Sequence, residues 1–488
     1  FRDLLRSQLQ RMQPALAASL HRRAAAWFAR RQQPVEAIEH TLAAGDYAEA
    51  LALLERHARP LVLQGYAQTV SGWLSRLPAE WRAAGPHTNI AFAWSLLLRG
   101  QLDASDGYLA NAEAALAAGT ALHPPEAAAQ AALRAEILAL RAGLISLRGD
   151  PERACAAALA AVALAPADNP YVQGATRFCL ATAYNYAGRT AAASDAYQVA
   201  LPFCRASGNT VAAMLIVANL ALLLIDRGEL HAAADLSRQV IAEAEQAGAR
   251  HSPALASVYG ASAQVLYEWN ALAAAQAAAQ QALELGRRSG HIAAVAYGSV
   301  VLARIEAARG DEAAAGQLLA DALQLRSRAM PAWVFPHMVS QQVALALGRS
   351  DVAAAQQALA GSGVALDDAT DHRNEVIHLA WLRLLLHQLA GRAAPDPLFE
   401  QAHRLADKII ASAQAGGRTG RVMEALALRA LVRQAQGERA AAHAGLAQAL
   451  QLAAPGGYVR TFASLGLDMA RLLASFAAPP ELQTYGER

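Results

Sequence analysis

Leu222-Leu223-Leu224-Ile225-Asp226-Arg227-Gly228-Glu229-Leu230-His231-Ala232-Ala233-Ala234 joins an apolar run to an Ala-rich amphipathic run through a helix-breaking turn. The same arrangement recurs along the chain. Its turns are Gly100-Gln101, Gly149-Asp150, Gly188-Arg189, Gly228-Glu229, Asn270-Ala271, Gly310-Asp311, Gly348-Arg349, Gly391-Arg392 and Gly437-Glu438, separated by 49, 39, 40, 42, 40, 38, 43 and 46 residues. A recurrence of 20 to 50 residues marks stacked repeats, each a unit that cannot bury its apolar face alone. Gly, or Asn in one copy, suits the end of a helix, where the left-handed backbone disfavours a residue with a Cβ.

Seven residues before the turn stands Ala142, Ala181, Ala221, Ala263, Ala303 or Ala430, and five after it Ala154, Ala193, Ala233, Ala275, Ala315 or Ala442. Small residues there let two antiparallel helices approach closely. Pairs such as Ala200-Leu201, Ala282-Leu283, Ala322-Leu323 and Ala449-Leu450 follow on the same helical face as the second Ala. Second breakers at Ser207-Gly208-Asn209, Ala247-Gly248-Ala249, Ser289-Gly290 and Ala360-Gly361-Ser362-Gly363 close the units. The unit is a helical hairpin that resembles the tetratricopeptide repeat (TPR), with longer helices because the standard period is ~34. The expected fold is all-α, a right-handed superhelix of TPR-like hairpins with a period near 40, its concave surface lined by first helices.

Composition narrows the function. With 488 residues, 55% hydrophobic and 17% charged, the chain is folded rather than disordered. A net charge of +2 supplies no phosphate-neutralising surface for non-specific nucleic-acid binding. Cys155, Cys179 and Cys204 are odd in number and widely spaced, which fits neither a disulfide framework nor a zinc knuckle and favours the cytoplasm. The longest apolar run, Val211 to Ile225, is 15 residues, shorter than the ~20 needed to span a bilayer, so no membrane partner is expected.

Enzyme chemistry is not legible either. Lys408, the single lysine, is followed by Ile409-Ile410, so no phosphate loop is present. HExxH and GxSxG are absent, and His372 and His378, six apart, do not share the face of a helical zinc site. Gly416-Gly417-Arg418-Thr419-Gly420 has no preceding strand and reads as an interhelical turn. The chain is therefore expected to be non-enzymatic, with no catalytic residue, metal or cofactor of its own.

Three N-terminal stretches carry a more specific signal: His21-Arg22-Arg23-Ala24-Ala25-Ala26-Trp27-Phe28, Pro34-Val35-Glu36-Ala37-Ile38-Glu39-His40 and Ala44-Gly45-Asp46-Tyr47-Ala48-Glu49-Ala50. Gly72-Trp73-Leu74-Ser75-Arg76-Leu77-Pro78 and Ala93-Trp94-Ser95-Leu96-Leu97-Leu98-Arg99-Gly100 continue it. Together with the repeats, this resembles the arm and sensor of the MalT-like, LuxR-type large ATP-dependent transcriptional activators. The resemblance implies an N-terminal STAND-type ATPase that holds ATP or ADP and a C-terminal helix-turn-helix that reads DNA, both outside these residues. It also implies that a small-molecule inducer or a regulatory protein occupies the sensor and controls self-association. The start at Phe1-Arg2-Asp3-Leu4-Leu5 and the ending at Gly486-Glu487-Arg488 suggest a piece of a longer protein. The alternative is a TPR-type protein–protein interaction scaffold with no transcription role.

On this reading residues 1–40 end a winged-helix and arm region, 41–165 hold the arm and irregular first repeats, 166–455 form the sensor, and 456–488 lead out of it past Pro479-Pro480. Groove-facing positions lie about 13, 10, 6, 3 and 2 residues before each turn. The polar or aromatic residues there are the candidate ligand contacts: Phe178, Thr182, Asn185, Tyr186, Asp226, Gln264, Tyr267, Glu268, Tyr297, Arg304, Gln342, His378 and Trp381. Tyr267, Glu268, Tyr297 and Arg304, from adjacent repeats, form the best cluster, pairing aromatic walls with directed polar groups. As groove residues they are expected to contribute little to the stacked core.

Overall fold

The computed structural model describes residues 8–9, 11–78, 81, 85–117, 127–246, 248, 250, 252–325, 333–392, 394–479, 481–482 and 485. Phe1–Leu5, Gly486–Arg488, Pro480 and the Ala247 and Ala249 beside Gly248 lie outside them. Among the described residues every regular element is a helix. They run α1 (Pro14–Arg30), α2 (Pro34–Ala43), α3 (Tyr47–Leu63), α4 (Ala67–Leu74), α5 (Pro86–Leu98), α6 (Leu102–Ala117), α7 (Ala127–Leu147) and α8 (Pro151–Leu164). The chain continues through α9 (Pro170–Tyr186), α10 (Thr190–Ala206), α11 (Thr210–Asp226), α12 (Leu230–Gln246), α13 (Ala256–Glu268), α14 (Leu272–Ser289), α15 (Ile292–Ala308) and α16 (Glu312–Gln324). It ends with α17 (Val334–Gly348), α18 (Val352–Ala360), α19 (Glu375–Leu389), α20 (Pro397–Ala415), α21 (Thr419–Ala435), α22 (Arg439–Ala453), α23 (Arg460–Ala463) and α24 (Gly466–Ser475).

The turns are built from two parts. A left-handed residue stops one helix: φ is +71° at Gly188, +87° at Gly228, +60° at Asn270, +87° at Gly310 and +85° at Gly437. The next residue, where it is Asp, caps the following helix, as Asp150, Asp311 and Asp351 accept the amides of Arg153, Ala314 and Ala354. Of the nine turns read from the sequence, only that at Gly348 departs. Gly348 is the last residue of α17, and the left-handed position is Ser350, with φ +57°. The turn is Ser350-Asp351, two residues later than expected, because Asp351 provides the cap and Ser350 takes the place of glycine.

The small-residue positions explain the packing. All twelve Ala before and after the turns, from Ala142 and Ala154 to Ala430 and Ala442, are 0% exposed. A methyl group at each contact lets the two helices of a hairpin close on one another, and any larger side chain would overpack them.

The chain divides into two compact units, one of Phe1–Ala183 with Ala196–Ala213 and one of Tyr184–Asp195 with Met214–Arg488. In the first, Trp73 is buried and its indole donates to Glu39 Oε1 at 2.6 Å, which ties α4 to α2. A second polar knot joins α3, α7 and α9: Arg59 lies 3.3 Å from the fully buried Glu136, which also accepts the Tyr171 hydroxyl. Cys155, Cys179 and Cys204 are buried free thiols, and burial pushes that of Cys204 up to about 12, so thiolate chemistry is suppressed.

The second unit closes on itself. The α21 N-terminus reaches the end of α11, where a Cβ on Gly420 would sit 3.4 Å from the Ile225 and Asp226 carbonyls. One apolar core accordingly contains Ala221, Ile225 and Ala233 together with Phe399, Met423, Leu446 and Met469. The first helices α11, α13, α15, α17, α19 and α21 thus surround a common interior.

Candidate functional site

That interior holds a cavity of about 360 Å³, lined by side chains from all six first helices and from the segment 458–464. Each helix delivers the residues that its phase turns inward. α15 illustrates the rule: Tyr297, Val300, Arg304 and Ala307, spaced three or four apart, and the adjacent Ala308 all line the space. α13 supplies Gln264, Tyr267 and Glu268, and α11 supplies Leu222, Ile225 and Asp226.

The polar side chains are linked. Arg304 donates from Nη1 to Gln264 Oε1 at 3.0 Å and lies 3.4 Å from Glu268 Oε1, while Gln264 donates to the same Glu268 oxygen at 3.0 Å. The Arg304 guanidinium sits over the Tyr267 ring at 4.5 Å. Across the cavity Arg383 donates to Glu424 Oε1 at 2.9 Å. Arg421 and Asp226 are 3.6 Å apart, an ion pair too long for a hydrogen bond. The aromatic wall is Tyr297, with Trp333 tilted against it at 5.2 Å and His337 edge-on at 6.1 Å.

Burial sets the charges. It raises the Glu268 carboxyl above its ordinary range, against the pull of Arg304 and Thr461. It raises Asp226 likewise, against Arg421 and Arg418. The Asp226 side chain is 38% accessible, since it opens into the cavity. Burial would also raise Glu424, but Arg383, Arg421 and Arg304 outweigh it and hold the carboxyl low. His337 is pushed well below its usual value by burial, then by Arg421 and Arg304, and is neutral at pH 7.

One wall comes from the C-terminal segment, which folds back as a clasp. The Trp269 indole donates to the Gly456 carbonyl at 2.9 Å, and the Tyr458 hydroxyl to the Ile225 carbonyl at 2.6 Å. The Val459 amide donates to the Glu268 carbonyl at 2.8 Å, and the Thr461 hydroxyl to Glu268 Oε2 at 2.9 Å. Gly456 is required for this fit, because a Cβ there would come within 2.6 Å of the Gly228 carbonyl. The residues Gly456-Gly457-Tyr458-Val459-Arg460, read from sequence as an exit, therefore brace α11 and α13.

The structure brings together six of the sequence-derived candidates, Asp226, Gln264, Tyr267, Glu268, Tyr297 and Arg304, on this one cavity. They are also integral to the packing: Tyr267 and Glu268 are buried, so the expectation that groove residues matter little to stability is corrected. Phe178 and Thr182 pack instead in the first unit, where the Thr182 hydroxyl donates to the Phe178 carbonyl and meets that of Tyr197 at 3.2 Å. Asn185 and Tyr186 end α9 away from the cavity, and the Tyr186 carbonyl pairs with His372. Gln342 does not line the cavity. Counting back from the true turn at Ser350 gives His337, Ser340, Ala344, Leu347 and Gly348, and all but Leu347 do. His378 and Trp381 are covered by the loop before α19, bonded to Thr370, Ala365 and Val364, so α19 turns Val376, Leu379 and Arg383 inward instead.

Arg383, Arg421, Arg460 and Thr461 were not legible as site residues, because circuit closure and the clasp bring them in, whereas Glu424, 13 residues before the Gly437 turn, was within reach of the same count and was missed. No helix among the described residues is long and apolar enough to cross a membrane. Among the same residues no group of three His, Cys, Asp or Glu could hold a metal ion.

Comparison with known proteins agrees with the repeat reading. The family model described as the MalT-like TPR region matches residues 135–478. The serine/threonine-protein kinases PknK of Mycobacterium tuberculosis and Mycobacterium bovis are 31% identical over 321 residues, which is 65% of this chain and 28% of the kinase. The chain thus spans well under half of those relatives. Among solved structures, a human IFIT1 dimer with PPP-AAAA is 15% identical over 93% of this chain and 94% of that one, with a TM-score of 0.39. The apo form of RapI is 11% identical over 83% and 97%, with a TM-score of 0.36. Neither likeness extends beyond the helical fold. With well over half its length matched by that family model, and with the helical hairpins it implies, the chain belongs to the MalT-like TPR region family.

Proposed function

We propose that the chain is the effector-sensing region of a MalT-like regulator and that the cavity of the second unit is where a small-molecule effector docks. One observation carries the reading: six first helices and the C-terminal clasp present the rings of Tyr267, Tyr297, Trp333 and Tyr458 and a linked set of directed polar groups to one space. Its volume falls in the range of small-molecule sites. The region acts by binding rather than catalysis, and occupancy changes an equilibrium only through unequal affinity for two states of the larger protein. By family resemblance those states differ in self-association, with ATP or ADP held by an N-terminal domain and DNA read by a C-terminal one.

The similarity to part of a kinase favours a second reading, in which the region is a helical protein-interaction scaffold serving a different output domain. One experiment separates them: a small-molecule screen by thermal shift, followed by calorimetric titration of hits into wild type and Tyr297→Leu. A hit that binds wild type and is weakened by the aromatic truncation supports effector sensing. Hits whose affinity is the same in both proteins would remove the cavity as the site and leave the scaffold reading.

A further inference from the structure

The charges that face the cavity do not balance in pairs. Four guanidiniums line it, from Arg304, Arg383, Arg421 and Arg460, and Asp226, Glu268 and Glu424 are the interior carboxylates. Glu312, at the mouth, is engaged by Arg349 at 2.7 Å. Arg304 is matched to Glu268 and Arg383 to Glu424, while Arg421 holds Asp226 only at 3.6 Å. Arg460 is left over. Among the described residues it has no carboxylate partner, its guanidinium lies 5.5 Å from the Tyr267 ring centre, and its Nε is buried without a hydrogen-bond partner. The Nε of Arg383 is buried and unpartnered too. Donors enclosed without an acceptor are unfavourable, so the cavity contains unmet demand for negative charge.

From this geometry we propose that the effector carries an anionic group, a carboxylate or phosphate, that is received by Arg460 of the clasp and Arg421 of α21 while its body lies against Tyr297 and Trp333. The proposal rests on the effector-site reading above and specifies its ligand chemistry. A planar guanidinium offers paired donors that match either oxyanion. Bridging also has a mechanical consequence. Arg460 rides on a short helix that the Trp269, Tyr458, Val459 and Thr461 hydrogen bonds tether to the array. A ligand that joins Arg460 to Arg421 adds a cross-link between the clasp and the first helices, and so steadies the segment leading from the sensor towards the C-terminus.

Benzoate and phenyl phosphate serve as probes, with benzamide as the neutral analogue of the same shape. Each is titrated calorimetrically at fixed chloride concentration into wild type, Arg460→Gln and Arg460→Lys, with Arg471→Gln, on the exposed face of α24, as the charge control. Hydrogen exchange of the 456–464 amides is followed in parallel. Among the described residues Arg460 has no carboxylate partner, so its replacement leaves no buried acid among them uncompensated, and melting of each variant verifies the fold. The expected result is that at least one anion binds wild type and slows exchange at 456–464. Arg460→Gln should weaken that binding roughly ten- to hundredfold, Arg460→Lys less, and Arg471→Gln not at all. Whichever anion binds more tightly identifies the oxyanion. Benzamide binding as tightly as benzoate, anion affinity unchanged in Arg460→Gln, or no anion binding at all would overturn the proposal. In the first two cases titration into Tyr297→Leu decides the effector-site reading: weakened binding keeps it and unchanged binding removes it. If none of the three probes binds, the screen above, which includes neutral compounds, decides that reading separately.

Discussion

The buried pair between Glu375 at the start of α19 and Arg418 before α21 gives a sharp prediction about what holds the second unit closed. Arg418 donates from Nε to Glu375 Oε2 at 2.8 Å and from Nη2 to Oε1 at 2.7 Å, and the Ser412 hydroxyl adds a third donor at 2.6 Å. The side chains are 10% and 1% exposed. Replacing Arg418 by Met strands a carboxylate that water cannot reach, and breaking such a pair costs about 3–5 kcal/mol. The double variant Glu375→Leu/Arg418→Met removes both charges and should recover much of that loss, because desolvation of an isolated ion, rather than loss of attraction, dominates the penalty. The assay is native-state hydrogen exchange of the α19 to α21 amides, where the single variant should accelerate exchange by roughly two to three orders of magnitude. Exchange within about threefold of wild type in Arg418→Met, or a double variant less stable than the single, would refute the reasoning.

Other consequences follow from the same geometry. Ser350→Gly should stabilise the protein by about 0.5–1 kcal/mol by relieving a left-handed residue, and Gly348→Ala should do likewise, since its new Cβ meets only Glu312 Oε1 at 3.7 Å. Urea midpoints that fall in both variants would place the turn at Gly348 after all. Gly188→Ala combines φ +71° with a Cβ 2.4 Å from the His372 ring, so it should cost about 1–3 kcal/mol, and an unchanged midpoint would contradict that contact. Burial lowers the His291 imidazole from 6.5 to about 4 in the folded chain. The unfolded chain therefore takes up the proton first, and the contribution of His291 to stability is complete above pH 6.5 and lost as pH falls towards 4. His291→Asn should flatten the fall in melting temperature across that window, and an identical pH profile in the variant would show that the histidine does not titrate there.

What the sequence determined by itself is local and periodic. The recurrence of turn residues near every 40 positions, with Ala at fixed offsets, dictates helical hairpins. A helix needs 3.6-residue patterning and a stop signal, and both are written within one repeat. The phase of each helix followed from the same count, which is why Asp226, Gln264, Tyr267, Glu268, Tyr297 and Arg304 could be named and fall on one cavity. The count failed where a local signal was ambiguous, at Gly348 against Ser350, and where a neighbouring loop covered the face, at His378 and Trp381. Tertiary structure alone decided that the array closes its circuit. The small rotation between successive hairpins is set by side-chain packing and accumulates over several repeats, so no single repeat encodes where α21 will meet α11. Arg421 and the clasp residues Tyr458, Arg460 and Thr461 became neighbours of Glu268 through that accumulated turn, across 153 to 193 positions of chain that carry no mutual pattern.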